Sequence, residues 1–210
     1  MSPARLVVLV CAAQVLAQIG ANTWPALLPQ LSAEWKISNS EAGWITGLMY
    51  AAYTLSVPIL VTSTDRIDPK KVYLLGVALT FIGHLGFALF ADGFWTAAAF
   101  RAIAGIGWAG TYMTGLKLLA DQVDARLLSR ATAGHAGSIG VAGAVSFVFA
   151  DILATAGGWP AAFLASAGCA ALAWFIVFTA APWQKPKPRS NIKLFDFGPV
   201  FRNRSSLAYG

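Results

Sequence analysis

Charge is scarce in this sequence: 15 basic, 9 acidic and 2 histidine residues among 210, or 11% charged, against about 25% in a soluble domain. Only two cysteines occur, and Cys11 and Cys169 both lie inside long apolar runs, which excludes a disulfide framework. No His, Cys and acid spacing suits a metal, so neither a metal nor another cofactor is expected. Nothing resembles an ATP-binding loop: the G-x-G at Gly105 and Gly107 lies in an apolar run and follows no strand, which argues against a primary pump. A membrane enzyme would want paired acids or a nucleophile with a base near the interface. Asp121 and Asp124 are what the chain offers, and a solvated helix end explains them more simply.

Apolar residues are abundant, at 57%. They gather in windows 6–28, 42–62, 72–91, 95–119, 131–155 and 159–181, each close to the roughly 20 residues that cross a bilayer as a helix. The first window is too long for a cleavable signal peptide, carries Gln14, Gln18 and Asn22, and lacks a small-residue cleavage pattern. The expectation is an all-α integral membrane protein with six transmembrane helices over 1–181 and a basic tail or linker over 182–210. Three spans followed by three suggest an internal 3+3 repeat.

Basic residues alternate with these windows. With the N-terminus inside, all but Lys36 and Arg101 of the 15 basic residues fall in inner segments, so both termini are expected in the cytoplasm and the chain in the inner (plasma) membrane as a multi-pass protein. Charges distributed as topology signals do not make a nucleic-acid face, so no nucleic-acid partner is expected. The cluster from Lys185 to Arg204 suits contact with anionic headgroups of the lipid bilayer. Within the tail, "WQKPKPRSN" reads as a linker, and "FRNRSSLAYG" resembles the approach to a further helix.

Three stretches carry a family likeness. "TSTDRIDPKK" resembles the loop signature of the major facilitator superfamily between its second and third helices: Asp65 and Arg66 match the acidic and basic pair, and Lys70 and Lys71 the basic end. Val61 and Asp68 stand where that family usually has glycines. "RAIAGIGWAG" is similar to its fourth-helix motif through Arg101, Gly105 and Gly107, and "GGWPAAF" to its turn into the sixth helix. The likeness covers nearly the whole chain but half of a usual twelve-span member. It implies secondary transport of a small-molecule substrate by alternating access, with protons the expected coupling ion. It also implies a conformational latch at Asp65, Arg66, Lys70 and Lys71, and a role for Arg101 in substrate or proton movement. The fifth helix lacks the Gly-Pro pair of the family's exporter signature, which leaves the direction of transport open.

Arg101, Gly105, Trp108, Tyr112 and Gly115 fall within roughly 40 degrees on a helix. An ionised residue facing lipid costs at least about 2.5–3.5 kcal/mol, so Arg101 must meet a partner or a wet cavity. Helix rise places Asn22 and Arg101 at one depth, some 7–9 Å outside the middle of their helices, and Asp151 about 12 Å outside. An Arg101–Asp151 pair that opens on protonation is one reading; Asp151 at the wet interface with Arg101 braced on carbonyls is the other. Trp108 and Tyr112 suit a substrate path or packing. Gln14, Gln18 and Asn22 lie along one side of the first window and must face protein or a cavity. His84 and His135 read as packed histidines, with a proton relay as the other reading, and Gly137, Gly140 and Gly143 with neighbouring alanines as a close-packing seam. Because one six-helix unit makes only one wall of the family's cavity, a parallel homodimer is expected. The alternatives are the N-terminal half of a twelve-helix transporter and a non-transporting assembly subunit.

Overall fold

A computed structural model describes residues 2–184. The described residues form α1 (Pro3–Gln18), α2 (Thr23–Trp35), α3 (Asn39–Ser63), α4 (Pro69–Phe90), α5 (Phe94–Ala120) and α6 (Ala125–Ala180), with no strand among them. Local chemistry sets the ends. Ser2 caps α1 ahead of Pro3. Ser38 and Glu41 form a reciprocal capping box at the start of α3. Asp68 caps α4 by accepting from the Lys70 N–H at 2.8 Å, ahead of Pro69 at the first helical position.

Four stretches are long and apolar enough to cross a membrane: Pro3–Trp35, Asn39–Ser63, Pro69–Phe90 and Ala125–Ala180. At 27 residues α5 has the length, but Arg101, Lys117 and its glycines and threonines dilute its apolar character. Helix α6 would run about 84 Å if straight, far beyond the ~30 Å of a hydrocarbon core. It turns instead at Gly157 (φ −145°, ψ 18°) and Gly158 (φ 76°, ψ 171°). Only glycine adopts the Gly158 conformation cheaply, and Pro160 reopens the helix behind it, so "GGWPAAF" is a turn between two arms of α6.

The apolar windows thus land on α1 with α2, on α3, α4 and α5, and on the two arms of α6. The first window is corrected in one respect. It is two helices, interrupted by turns over 19–22. The tail over 185–210, with its lipid-facing cluster and "FRNRSSLAYG", lies outside the described residues.

Two apolar clusters bury most of the core. One joins Leu6 and Val10 of α1 to Tyr73 and Val77 of α4, Leu118 of α5 and Ala173 and Val177 of α6. The other joins Trp24 and Leu31 of α2, Ile45 of α3, Phe87 of α4, and Trp159 and Phe163 of α6, with Phe87 and Phe163 stacked at 3.9 Å. Between them in chain position lies a buried polar layer containing Gln18, Thr80, His84, Arg101, His135, Ser146 and Ser166.

The close-packing seam is not where the glycine pattern put it. Gly137 and Gly140 have open space where a Cβ would go, and Ala133, Ala136 and Ala144 are exposed. The backbones that touch are those of α4 and α5. A Cβ on Gly76 would lie 2.6 Å from the Gly110 carbonyl carbon, and one on Gly107 would lie 2.6 Å from the Thr80 nitrogen. On the first arm of α6 a narrow stripe from Ala131 through His135, Ser138, Ala142 and Ser146 to Ala150 is buried, and most of the rest faces outward.

Candidate functional site

The interruption of the first window makes the site. A helical carbonyl accepts from the N–H four residues on; for Ala21 that residue is Pro25, which has none. The Ala21 carbonyl is therefore released into the bundle, and Arg101 of α5 takes it, donating from Nη2 at 3.0 Å. Arg101 is 2% exposed and forms no ion pair among the described residues. The equal depth expected for Asn22 and Arg101 is realised within one residue.

Arg101, Gln18, Ala21, Thr80, His84 and Trp108 share the lining of one pocket, completed by small apolar side chains and Met49. Its cavity volume is about 20 Å³, room for about one water. Among the described residues, three of its buried nitrogens have no hydrogen-bond partner: Gln18 Nε2, Arg101 Nε and Trp108 Nε1. Each is a donor. The Trp108 ring meets those of Tyr53 and Tyr50 of α3, with centroids 5.0 and 5.9 Å away. Gly20 lets the chain pass close beside the pocket: a Cβ there would lie 2.5 Å from His84 Nε2 and 2.8 Å from Ser166 Cβ, so any side chain would displace His84.

The other expected residues divide. Gln14 is buried elsewhere, its Oε1 accepting from the Tyr73 hydroxyl at 3.2 Å. Asn22 ties α2 to α6: its N–H donates to Ser146 Oγ at 3.1 Å and its Nδ2 to the Gly143 carbonyl at 3.4 Å. Tyr112 stacks on His135 at 5.4 Å, and its carbonyl bonds His135 Nε2 at 2.9 Å. Asp151 is exposed and does not meet Arg101. It follows Ala150, the last residue of the buried stripe, and one residue turns it about 100 degrees out of that stripe.

The loop from α3 to α4 carries the expected latch residues. Asp65 Oδ1 pairs with Lys117 Nζ of α5 at 2.7 Å, and Lys117 also donates to the Thr64 carbonyl at 3.3 Å. Arg66 and Lys71 are exposed. Lys70 is buried, donating to the Phe178 and Ala181 carbonyls at 2.7 and 2.6 Å with its Nζ 3.9 Å from the Trp183 ring centre. A cation on the last carbonyls of a helix is favoured by the helix dipole. Asp68 completes this staple, accepting from the Gln184 N–H at 2.7 Å. Sequence reasoning missed Lys117 and Asp68 as site residues, and favoured packing over a proton relay for His84. An Asp-Pro pair at a helix start signalled the cap, but nothing local signalled the partners. Among the described residues no group of His, Cys, Asp or Glu could hold a metal.

The bundle is similar to solved membrane transporters. It superposes on the POT family transporter PepTSo with a TM-score of 0.72 over 96% of this chain and 42% of that one, at 17% identity. For the D-xylose-proton symporter the values are 0.63, 97%, 51% and 15%. In sequence, it is 26% identical over 137 residues to the uncharacterized MFS-type transporter YwoD of Bacillus subtilis (strain 168), covering 65% of this chain and 30% of that protein. The chain thus spans a third to a half of the length of these relatives. The profile of the Major Facilitator Superfamily matches residues 10–208. A buried arginine on α5, the charged loop behind α3, the glycine turn within α6, the superposition and this match lead to one assignment: the chain is a multi-pass membrane protein belonging to the major facilitator superfamily.

Proposed function

We propose that the chain is a secondary active transporter of a small organic solute, working by alternating access with proton coupling, as a parallel homodimer. In this reading it makes six crossings arranged as a 3+3 repeat over 1–181 and keeps both termini in the cytoplasm. The observation that carries it is Arg101 buried against the interrupted first helix. A charge at membrane depth and irregular backbone at the same depth are each tolerated only inside protein or beside a cavity. Here they meet at one pocket lined by unpartnered donors. Arg101, Gln18 and Trp108 are the solute contacts, and Gln14, Asn22 and Tyr112 hold the helices around them. His84 lines the same pocket.

Two surfaces support the second copy. Trp44, Leu55 and Ile59 of α3, and Val148 and Ile152 of α6, are large apolar side chains left exposed. The family builds its cavity between two six-helix units related by an axis along the membrane normal. A parallel copy would set α3 of one chain against α6 of the other and bring Asp151 to the shared cavity. Asp65, Arg66, Lys70 and Lys71 would then form the latch.

The test of transport is solute accumulation in proteoliposomes driven by a pH gradient and abolished by a protonophore. Accumulation indifferent to the gradient, or retained in full by Arg101→Ala, overturns the coupling or the site. The dimer is tested with cysteines at Leu55 and Val148 in a background lacking Cys11 and Cys169. Cross-linking between copies in native membranes is expected, and a chain that stays monomeric refutes it.

A further inference from the structure

The donors around Arg101 specify more than a path; they specify a chemical class. Gln18 Nε2, Arg101 Nε and Trp108 Nε1 are buried, unpartnered N–H groups lining one pocket. No carboxylate lines it, and the guanidinium spends one Nη2 hydrogen on a backbone carbonyl. The pocket therefore holds an uncompensated positive charge and a surplus of donors. Both are expensive inside a membrane protein.

We propose that this pocket is the subsite for the carboxylate end of a small organic acid, which the protein transports; the inference rests on the transport reading above. A carboxylate is acceptor-only, with two oxygens that take several hydrogen bonds. Charge-assisted bonds to guanidinium, indole and amide N–H groups are the strongest available here. A sugar hydroxyl can accept from these groups but brings no negative charge to offset the guanidinium, and a cation meets like charge. The room near Arg101 is that of about one water, so only the end of a solute reaches the guanidinium, and the pocket must widen to take both carboxylate oxygens. The remainder of the acid then lies along Met49 and the aromatic wall formed by Trp108 with Tyr50 and Tyr53, a surface suited to an apolar tail. The class is a small monocarboxylate with an apolar body.

The experiment is binding to the full chain in detergent, read as thermal stabilisation, which grows with ligand bound to the folded state. The probes are sodium benzoate and sodium propionate, their neutral isosteres benzamide and propionamide, sodium chloride at matched ionic strength, and choline chloride. Saturable stabilisation by both carboxylates and not by the amides is expected. Trp108→Phe keeps the ring, removes one donor to a charged acceptor and should weaken benzoate binding roughly tenfold or more. Gln18→Leu should act in the same direction, and Arg101→Gln should abolish binding. Equal stabilisation by benzamide and benzoate, preference for choline, chloride matching propionate, or unchanged affinity in Trp108→Phe would each overturn the proposal. Failure of the transport reading looks different. Carboxylate binding without gradient-driven flux sinks transport and leaves the subsite standing, whereas gradient-driven flux of neutral solutes without carboxylate binding sinks the subsite alone.

Discussion

Replacing Gly76 by alanine should damage this bundle more than its size suggests. The new Cβ would lie 2.6 Å from the Gly110 carbonyl carbon, 2.8 Å from the Gly107 oxygen and 2.8 Å from the Gly110 Cα. Carbon contacts relax at about 3.5–4.0 Å. Every obstacle is backbone, so no side chain can rotate away, and α4 and α5 must part by about 1 Å. Parting them loosens the whole seam, including the contact of Gly83 with Ala104 and that of Gly107 with Thr80. Overpacking of this kind costs about 1–3 kcal/mol, and with backbone on all sides the upper end applies. Better helix propensity returns up to about 1 kcal/mol, leaving a loss of about 2 kcal/mol. Gly137→Ala is the control: nothing lies within 4 Å of its Cβ, and it should be neutral or up to about 1 kcal/mol more stable. The assay is unfolding in mixed micelles titrated with SDS, followed by far-ultraviolet circular dichroism. If Gly76→Ala unfolds at the wild-type midpoint, or no earlier than Gly137→Ala, the argument that α4 and α5 pack backbone to backbone is wrong.

Three further outcomes follow from named contacts. Lys70→Met removes both bonds to the end of α6, a loss of about 1.5–3 kcal/mol for each hydrogen bond to a charged donor; amide exchange at Gln184, measured by mass spectrometry, should accelerate, and unchanged exchange would remove the staple. Asp65→Asn breaks a pair whose side chains are 41% and 30% exposed, so stability should move by only about 0.2–1 kcal/mol. Labelling of a cysteine at Ser63 should nonetheless rise or fall if the loop is a latch, and identical labelling rules that out. Gly20→Ala drives a methyl into His84 and Ser166; it should fold yet lose benzoate-induced stabilisation, and retained stabilisation would show that His84 placement does not shape the pocket.

The helices were legible because each satisfies a local condition: an apolar run of bilayer length, a capping residue, a proline at a first turn or a glycine with positive φ. Depth was legible for the same reason, since rise per residue is a property of one helix, and it set Arg101 level with the residue beside its true partner. Azimuth was not. Which way a side chain points depends on which neighbouring helices bury which stripe, and that is a sum over contacts far apart in sequence. Asp151 lies one step around from Ala150 and faces out; Lys117, fifty-two positions after Asp65, faces in. Gly137 and Gly140 on the first arm of α6 have the spacing of a seam yet open space where a Cβ would go, while Gly76 and Gly83 meet α5 because of what α5 places opposite them.

The partner of Arg101 was within reach of local reasoning after all. Proline removes one donor, and the carbonyl it orphans is always four residues earlier. Counting back from Pro25 gives Ala21, and an orphaned carbonyl at membrane depth must find a donor from another helix. At that depth α5 offers a guanidinium that must itself find a partner inside the protein. Two deficits of opposite sense at one level of a bundle define a contact without any coordinates, and Arg101 Nη2 on the Ala21 carbonyl is that contact. It uses one of the five guanidinium hydrogens. Since a single carbonyl does not balance a full charge, the rest of the group stays committed to whatever occupies the pocket. Arg101→Lys should therefore preserve the tie to Ala21 and the fold, because an ammonium can still donate to one carbonyl, but lose the fork needed to hold an acceptor beside Trp108. Wild-type thermal stability with at least tenfold weaker benzoate binding is the expected result, and full binding by the lysine variant would mean that charge alone, without the fork, fills the site.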